Sequence, residues 1–464
     1  MKSVDILPDD VLLAIFDFCV VIREYTKNEV EAWQSLAHVC RQWRSVVFGS
    51  PRRLDLQLFC GTWAQTPLGD MVDIWPTFPL LVQGNVNRPE ELDNTIAVLK
   101  RSDRVRHIIL RDFSSSHLEH VSSAMQEPFP ELTILRLSSS EVVAAIPDSF
   151  LVGRAPRLRS LELGGIPFPC LPKLLLSITH LDTLHLEKIP HSGYFSPEAI
   201  VTALSKSTSL GFLVLEFQSP RSLPDQDNRR LPLTRLAFPF LRLLKFKGVT
   251  EYLEDLVARI DAPRLRWLEI TFFNQIVFDT PHTIQFISRT ALKAENAHII
   301  FGDDAAQVSP FSSQTPDVSY GILDVKILCR ELDWQVSSLE QVCTPPWPLF
   351  STLEGLYIFE RFENPDSPPN WKDNIENMLW LELLRPFTAV KNLYLSERFA
   401  SLFAPALQEL VGGRTTEVLP ALQNIFLEGF QPSGPIQEST ARFIAARQLS
   451  GHPISVSLWD RSRL

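Results

Sequence analysis

One hexapeptide pattern, L-x-x-L-x-L with Val, Ile or Phe allowed at the apolar positions, recurs along most of this chain. The copies are VRHIIL (105–110), LTILRL (132–137), LRSLEL (158–163), LDTLHL (181–186), LGFLVL (210–215), LRLLKF (241–246), LRWLEI (265–270), ILDVKI (322–327), LEGLYI (353–358), VKNLYL (390–395) and LQNIFL (422–427). Alternation at the fourth and sixth positions is the signature of a strand with one buried face. Pro130, Pro156, Pro239, Pro263 and Pro420 each stand two residues before a leading Leu, where a proline enters a strand without removing a ladder donor. Amphipathic helical stretches alternate with the strands, at 196–206, 251–260, 371–384 and 401–411. A strand–helix unit of this size cannot bury its own apolar face, so the units must stack.

The first seven copies start 27, 26, 23, 29, 31 and 24 residues apart, and the later spacings are longer. This period resembles that of leucine-rich repeats, in a degenerate form without the consensus Asn ladder. The expected fold class is therefore α/β: a short N-terminal helical module at 1–50, then a solenoid of parallel strands and outer helices at 51–464. LDLQL (54–58) and LLV (80–82) read as earlier strands, with a helix at 90–100 between strands, so no flexible linker is expected near Pro51. HIIF (298–301) reads as the remnant of a copy. The segments 220–232, 302–321 and 362–370 are rich in Pro, Ser and Asp and are expected to be exposed, mobile loops.

The N-terminal module carries a second constraint. Pro8 suits a first helical position, and Asp9 and Asp10 complement the helix dipole behind it. Leu7, Val11 and Ile15 form one apolar stripe, and Leu12 and Phe16 the next. A further helix is expected from Asn28, with Trp33, Leu36, Cys40, Trp43 and Val47 on its apolar face and Gly49-Ser50-Pro51 ending it. So few residues cannot bury all this surface internally, which points to an outside partner. LPDDVLLAIF followed by LAHVCRQW resembles an F-box, and FGSPRRLDLQLFC resembles its fungal variant; the match covers about a tenth of the chain. The segment Cys19–Glu31 departs from it by being longer than the usual connection. The resemblance implies docking on a Skp-type adaptor and, through it, a cullin–RING ubiquitin ligase. It assigns adaptor contacts to Leu7, Pro8, Leu12, Ile15 and Phe16, and contact or core roles to Val39, Cys40 and Trp43.

The net charge of −10 argues against nucleic acid or an anionic membrane as the main partner. The six cysteines are Cys19, Cys40, Cys60, Cys170, Cys329 and Cys343; they form no CxxC pair, and the chain has no Asn-x-Ser/Thr sequon. Buried thiols in a reducing compartment, cytoplasmic or nuclear, are expected. The first ten residues do not read as a signal peptide, and Val11–Ile22, interrupted by Asp17, is too short to span a bilayer. GxxxxGK[ST], GxGxxG, HExxH and GxSxG are all absent, so neither a cofactor nor catalysis is expected. His117 and His120 share a helical spacing but lack further metal ligands nearby, and Asp303-Asp304 reads as a solvated turn.

In the strand register, the third, fifth and seventh positions face the concave side. There the early copies carry Arg136, Ser160, Glu162, Thr183, His185 and Glu187, and the later ones Phe212, Trp267, Tyr357, Phe359, Tyr394 and Phe426. The aromatic set is the expected anchor for an unknown protein target; the competing expectation is that these rings pack beneath a loop or the C-terminal tail. The implied function is substrate recognition within a Skp–cullin–F-box ligase. A repeat scaffold or inhibitor without any ligase role is the alternative, and an enzyme built around His185, Glu162 and Glu187 a third.

Overall fold

A computed structural model of the chain describes residues 7–19, 33–50, 53–54, 56–64, 67–74, 78–220, 234–312, 322–362, 371, 375–410, 414–429 and 435–461. The chain is a mixed α/β protein dominated by parallel strand pairing. It divides into two compact units, Met1–Phe195 with Thr202–Leu210, and Ser196–Val201 with Gly211–Leu464.

Among its described residues the first unit opens with the helices α1 (Asp9–Cys19), α2 (Trp33–Ala37) and α3 (Arg41–Gly49). There follow β1 (Leu58–Gly61), α4 (Leu68–Ile74), β2 (Leu80–Asn85), α5 (Pro89–Leu99), β3 (Val105–Arg111), α6 (Ser115–Ala124), β4 (Ile134–Ser138), β5 (Ser160–Gly164), α7 (Leu171–Leu176) and β6 (Thr183–Ile189). Its six strands pair in chain order, all parallel. The helix α8 (Pro197–Ala203) has residues in both units.

The second unit contains β7 (Phe212–Phe217), β8 (Leu236–Ala237), β9 (Leu243–Gly248), α9 (Thr250–Ala258), β10 (Ile260–Asp261), β11 (Trp267–Phe272), α10 (Pro281–Ser288), β12 (Asn296–Phe301), β13 (Ala305–Phe311) and β14 (Leu323–Leu328). It continues with α11 (Leu332–Cys343), β15 (Gly355–Glu360), α12 (Asn377–Leu384), β16 (Asn392–Leu395), α13 (Glu397–Gln408), β17 (Asn424–Glu428), α14 (Pro435–Leu449) and β18 (Ser455–Trp459). The strand order is β7-β9-β11-β14-β13-β12-β15-β16-β17-β18, and β8 and β10 form a separate short pair. All neighbours are parallel except β13, which runs antiparallel to β12 and β14.

All eleven copies of the hexapeptide lie on strands of this pairing pattern. The fourth and sixth positions are buried, as at Leu161 and Leu163, Leu184 and Leu186, and Leu356 and Ile358. The five prolines act through turns. Leu132, Leu158, Leu241, Leu265 and Leu422 each donate their backbone N–H to the carbonyl three residues back, at Phe129, Ala155, Phe238, Ala262 and Leu419. Each proline is therefore the second residue of a β-turn, where its fixed φ is already correct, and the leading Leu closes the turn as it enters the core. The turn after β5 needs Gly165: its φ is +69°, and a Cβ there would lie 2.4 Å from the Ser139 carbonyl oxygen.

Two sequence expectations require correction, and one strand had no expectation at all. The helix expected to run through Cys40 is broken there. Cys40 has extended backbone (φ −157°, ψ 174°) and N-caps α3, its Sγ accepting from the Trp43 N–H at 3.5 Å; the expected start at Asn28 lies outside the described residues. Within the expected loop 302–321, residues 305–311 form β13, reached through a hairpin at Gly302-Asp303-Asp304 that is closed by Gly302 N–H to Ala305 O at 2.8 Å. Alternation in Ala305–Phe311 and a Gly-Asp turn are hairpin signals masked by the local Pro and Ser content. The strand β18, with its Ile454-x-Val456-x-Leu458 spacing, was not anticipated at all. Residues 221–232, 313–321 and 363–370 of the expected loops, and the Pro51 junction, lie outside the described residues.

Candidate binding surfaces

The N-terminal helices have one filled face and one open face. Leu12, Leu13 and Phe16 are buried, and the Phe16 ring meets Trp43 edge-on at 4.8 Å. Leu12 and Phe16, expected as adaptor contacts, thus lie in the contact between the helices; Trp43 is half-buried against them. Gln42 Nε2 donates to Leu7 O at 3.0 Å and to Asp9 Oδ1 at 3.1 Å, which fixes the start of α1. Leu7 and Cys40 are half-buried. The open face carries Pro8, Val11, Ile15 and Phe18, spaced three, four and three residues apart, so they form one stripe. Phe18 is 86% exposed, and Val39, beyond α2, is 57% exposed. Val11 and Phe18 were not among the expected adaptor contacts; their i, i+4 and i, i+3 relation to Ile15 was the signal that places them on the same open stripe.

These helices are anchored to the strands that follow. Trp33 is buried, tilted on Phe78 at 4.6 Å and edge-on to Phe48 at 6.1 Å, and its indole N–H donates to Gln57 O at 3.2 Å.

On the first unit the parallel register places Arg136, Glu162 and His185 in one row and Arg111, Ser138, Gly164 and Glu187 in the next. The two rows line a cavity of about 250 Å³. Arg136 Nε lies 2.9 Å from Glu162 Oε1, and His185 Nε2 lies 2.7 Å from Glu187 Oε1. Ser160 Oγ also donates to Glu162 at 3.2 Å, with Thr183 next to Ser160 in the register. Each acid is thus engaged by a neighbour in its own row or strand, an arrangement suited to recognising a polar ligand. His107, in β3, has its pKa pushed down to about 3 by burial, so its ring is neutral at physiological pH.

The second unit carries aromatic rows. The register aligns Tyr357, Tyr394 and Phe426. Tyr357 and Tyr394 stack at 4.1 Å and 6°, and Tyr394 and Phe426 at 4.5 Å and 9°. Trp459, from β18, packs 5.8 Å from Tyr394 and 6.0 Å from Tyr357. Phe359 is only 3% exposed, beneath Trp459 and the Arg461 guanidinium, whose centre lies 4.7 Å from its ring. Phe359 therefore does not meet the expectation of an open anchor: the C-terminal segment covers it. Tyr357, Tyr394 and Phe426 remain half-exposed, whereas Phe212 and Trp267 are exposed and stand apart from this cluster. Trp459 and Arg461 were missed as neighbours because β18 was missed.

At the inner end of the ladder His298 lies between Phe311, Tyr357 and Phe359, with ring centroids 4.3, 5.4 and 5.5 Å away. Burial lowers its pKa to about 4. Asp324 accepts from Ser309 Oγ at 3.0 Å, and burial raises its carboxyl to about 6. At the strand entrances a short polar ladder runs from Ser455 Oγ to Asn424 Oδ1 (2.6 Å) and from Asn424 Nδ2 to Asn392 Oδ1 (2.8 Å).

His117 Nδ1 and His120 Nδ1 lie 2.8 and 2.6 Å from the carbonyl oxygens of Val86 and Ser116. Among the described residues no three His, Cys, Asp or Glu side chains are grouped to hold a metal ion. Cys60, Cys329 and Cys343 are buried and form no disulfide among the described residues, and burial pushes the Cys329 thiol up to about 12. No described helix is long and apolar enough to cross a membrane.

No protein-family model matches the chain, and no curated protein matches it significantly.

Proposed function

We propose that this chain is a substrate-recognition subunit of a Skp–cullin–F-box ubiquitin ligase. The N-terminal helices act as the F-box, and the strand–helix units form a leucine-rich-repeat-like solenoid that holds a protein target. The observation that carries this reading is the open stripe Pro8, Val11, Ile15 and Phe18 on a helix whose opposite face is already filled by Leu12, Phe16 and Trp43. Each large apolar side chain left in water forgoes about 1.5–3 kcal/mol, and such a patch marks a docking site. The F-box resemblance names its occupant as a Skp-type adaptor. The Trp33–Phe78 contact supports a fixed direction of presentation, since it ties the docking helices to the first strands. In this role the chain has no catalytic residue of its own; it raises the local concentration of the target near a ubiquitin-charged enzyme. Such a subunit works in the cytoplasm or nucleus, without cofactor, nucleic acid or membrane.

The test is a pulldown with purified Skp-type adaptor. Wild type should be retained, and an Ile15→Asp/Phe18→Asp variant should be lost while keeping its thermal midpoint, because both side chains are exposed. Equal retention of both, or of neither, ends the F-box reading and leaves a scaffold or inhibitor built on the same strands.

A further inference from the structure

The entrances of β9, β11 and β14 enclose a cavity of about 710 Å³ that the functions above do not use. Its lining carries Arg242, Arg264, Arg266 and Lys293, together with Trp267, and no carboxylate among the described residues. All four cations are exposed, and none forms an ion pair among the described residues. At the same strand-entrance position further along the chain, Glu354, before β15, is held by Lys391, before β16, at 2.8 Å. Arg242 and Arg266 are direct neighbours, the Arg266 N–H donating to Arg242 O at 2.9 Å. The Arg264 guanidinium sits 5.7 Å from the Phe240 ring centre, a contact that steadies it without neutralising it. Four like charges around one concavity repel one another, and an anion entering it relieves that repulsion. Trp267, 40% exposed, supplies an apolar wall beside them.

We infer that this cavity binds an acidic peptide segment, with clustered carboxylates on the three arginines and Lys293 and an adjacent aliphatic or aromatic side chain on Trp267. Guanidinium forks suit carboxylates geometrically. A peptide fits better than a nucleic acid: the cationic surface is one local patch on a chain of net charge −10, and a polynucleotide would bring further phosphates against the remaining acidic surface. The inference deepens the target-recognition role and rests on it only for calling the ligand a target.

The test is fluorescence anisotropy with the full chain, without adaptor, so it succeeds or fails independently of the pulldown. The probe is a labelled peptide with four consecutive Glu residues beside a Leu; the reference is its Gln counterpart. The Glu peptide should bind about tenfold or more tightly than the Gln peptide, and weaken as salt rises. Arg264→Glu/Arg266→Glu should abolish that preference, and Lys100→Glu, at an exposed lysine that does not line the cavity, should leave it intact. Equal binding of both peptides, an unchanged preference in the double variant, or tighter binding of a single-stranded oligonucleotide of equal charge would each overturn the inference.

Discussion

The two units use the same buried grammar and opposite open faces. In both, apolar residues at the fourth and sixth positions of each strand fill the core. On the other face the first unit aligns Arg136, Glu162 and His185, while the second aligns Tyr357, Tyr394 and Phe426. Parallel register turns a residue class at one strand position into a row running across strands. A change of class at the fifth position, invisible to the core, therefore converts a hydrogen-bonded charged groove into a stacked aromatic ladder. The units also anchor differently. The first leans on the aromatic cluster of Trp33, Phe48 and Phe78, whereas the second is tied by Arg447, fully buried, which donates to the carbonyls of Thr415, Leu419, Pro420 and Leu422.

Breaking the anchors should give the largest effects. Trp33→Ala is expected to cost about 3–5 kcal/mol and, in hydrogen exchange, to deprotect α2, α3 and β1 while leaving β15–β17 unchanged. Arg447→Leu strands several buried carbonyls, at about 1–3 kcal/mol each before relaxation. Its expected loss of about 3 kcal/mol should show in denaturant unfolding, with exchange rising first around Thr415–Leu422.

The buried histidine of the second unit sharpens the contrast through pH. The folded pKa of His298 is near 4, below its usual 6.5, so the unfolded chain binds more protons between those values. Its stabilising contribution is complete above pH 6.5 and is lost as pH falls towards 4. Asp324 acts oppositely in an overlapping window. With its carboxyl raised to about 6 from 3.8, stability is lost as pH rises from about 4 to 6. His298→Phe should therefore remove about 2–3 kcal/mol of acid destabilisation at most, and Asp324→Asn should gain stability only at the upper end. Thermal midpoints measured from pH 4 to 7 would separate the two; parallel shifts in both variants would contradict the assignment.

The smallest expected effects lie on the open faces, with the ladder ahead of the charged row. Tyr394→Leu keeps much of the apolar burial but removes both stacked contacts, at about 0.5–1.5 kcal/mol beyond area. The matching change in the first unit, Glu162→Gln, breaks a partly exposed pair with Arg136 and should shift stability by less than about 1 kcal/mol. Urea midpoints that reversed this ranking would show the ladder to be incidental.

The eleven strands, their buried positions and most intervening helices were legible in the amino-acid sequence, because burial imposes a period that each segment carries locally. The open face of α1 was half legible: Pro8 and Ile15 lie on it, but Leu12 and Phe16 turned inward to meet Trp43, and Phe18 turned out. Which side of a helix is filled depends on its neighbours in space. The same limit explains Phe359: its class and register were readable, but its cover of Trp459 and Arg461 arrives from a hundred residues further on. The breaks at Cys40 and around β13 were decided by capping and antiparallel pairing, which outweighed local composition. The sequence by itself determined the strand repeat, its register and the chemistry of each row. Tertiary structure alone decided which rows stay open to solvent, because exposure belongs to what packs on a residue and not to the residue itself.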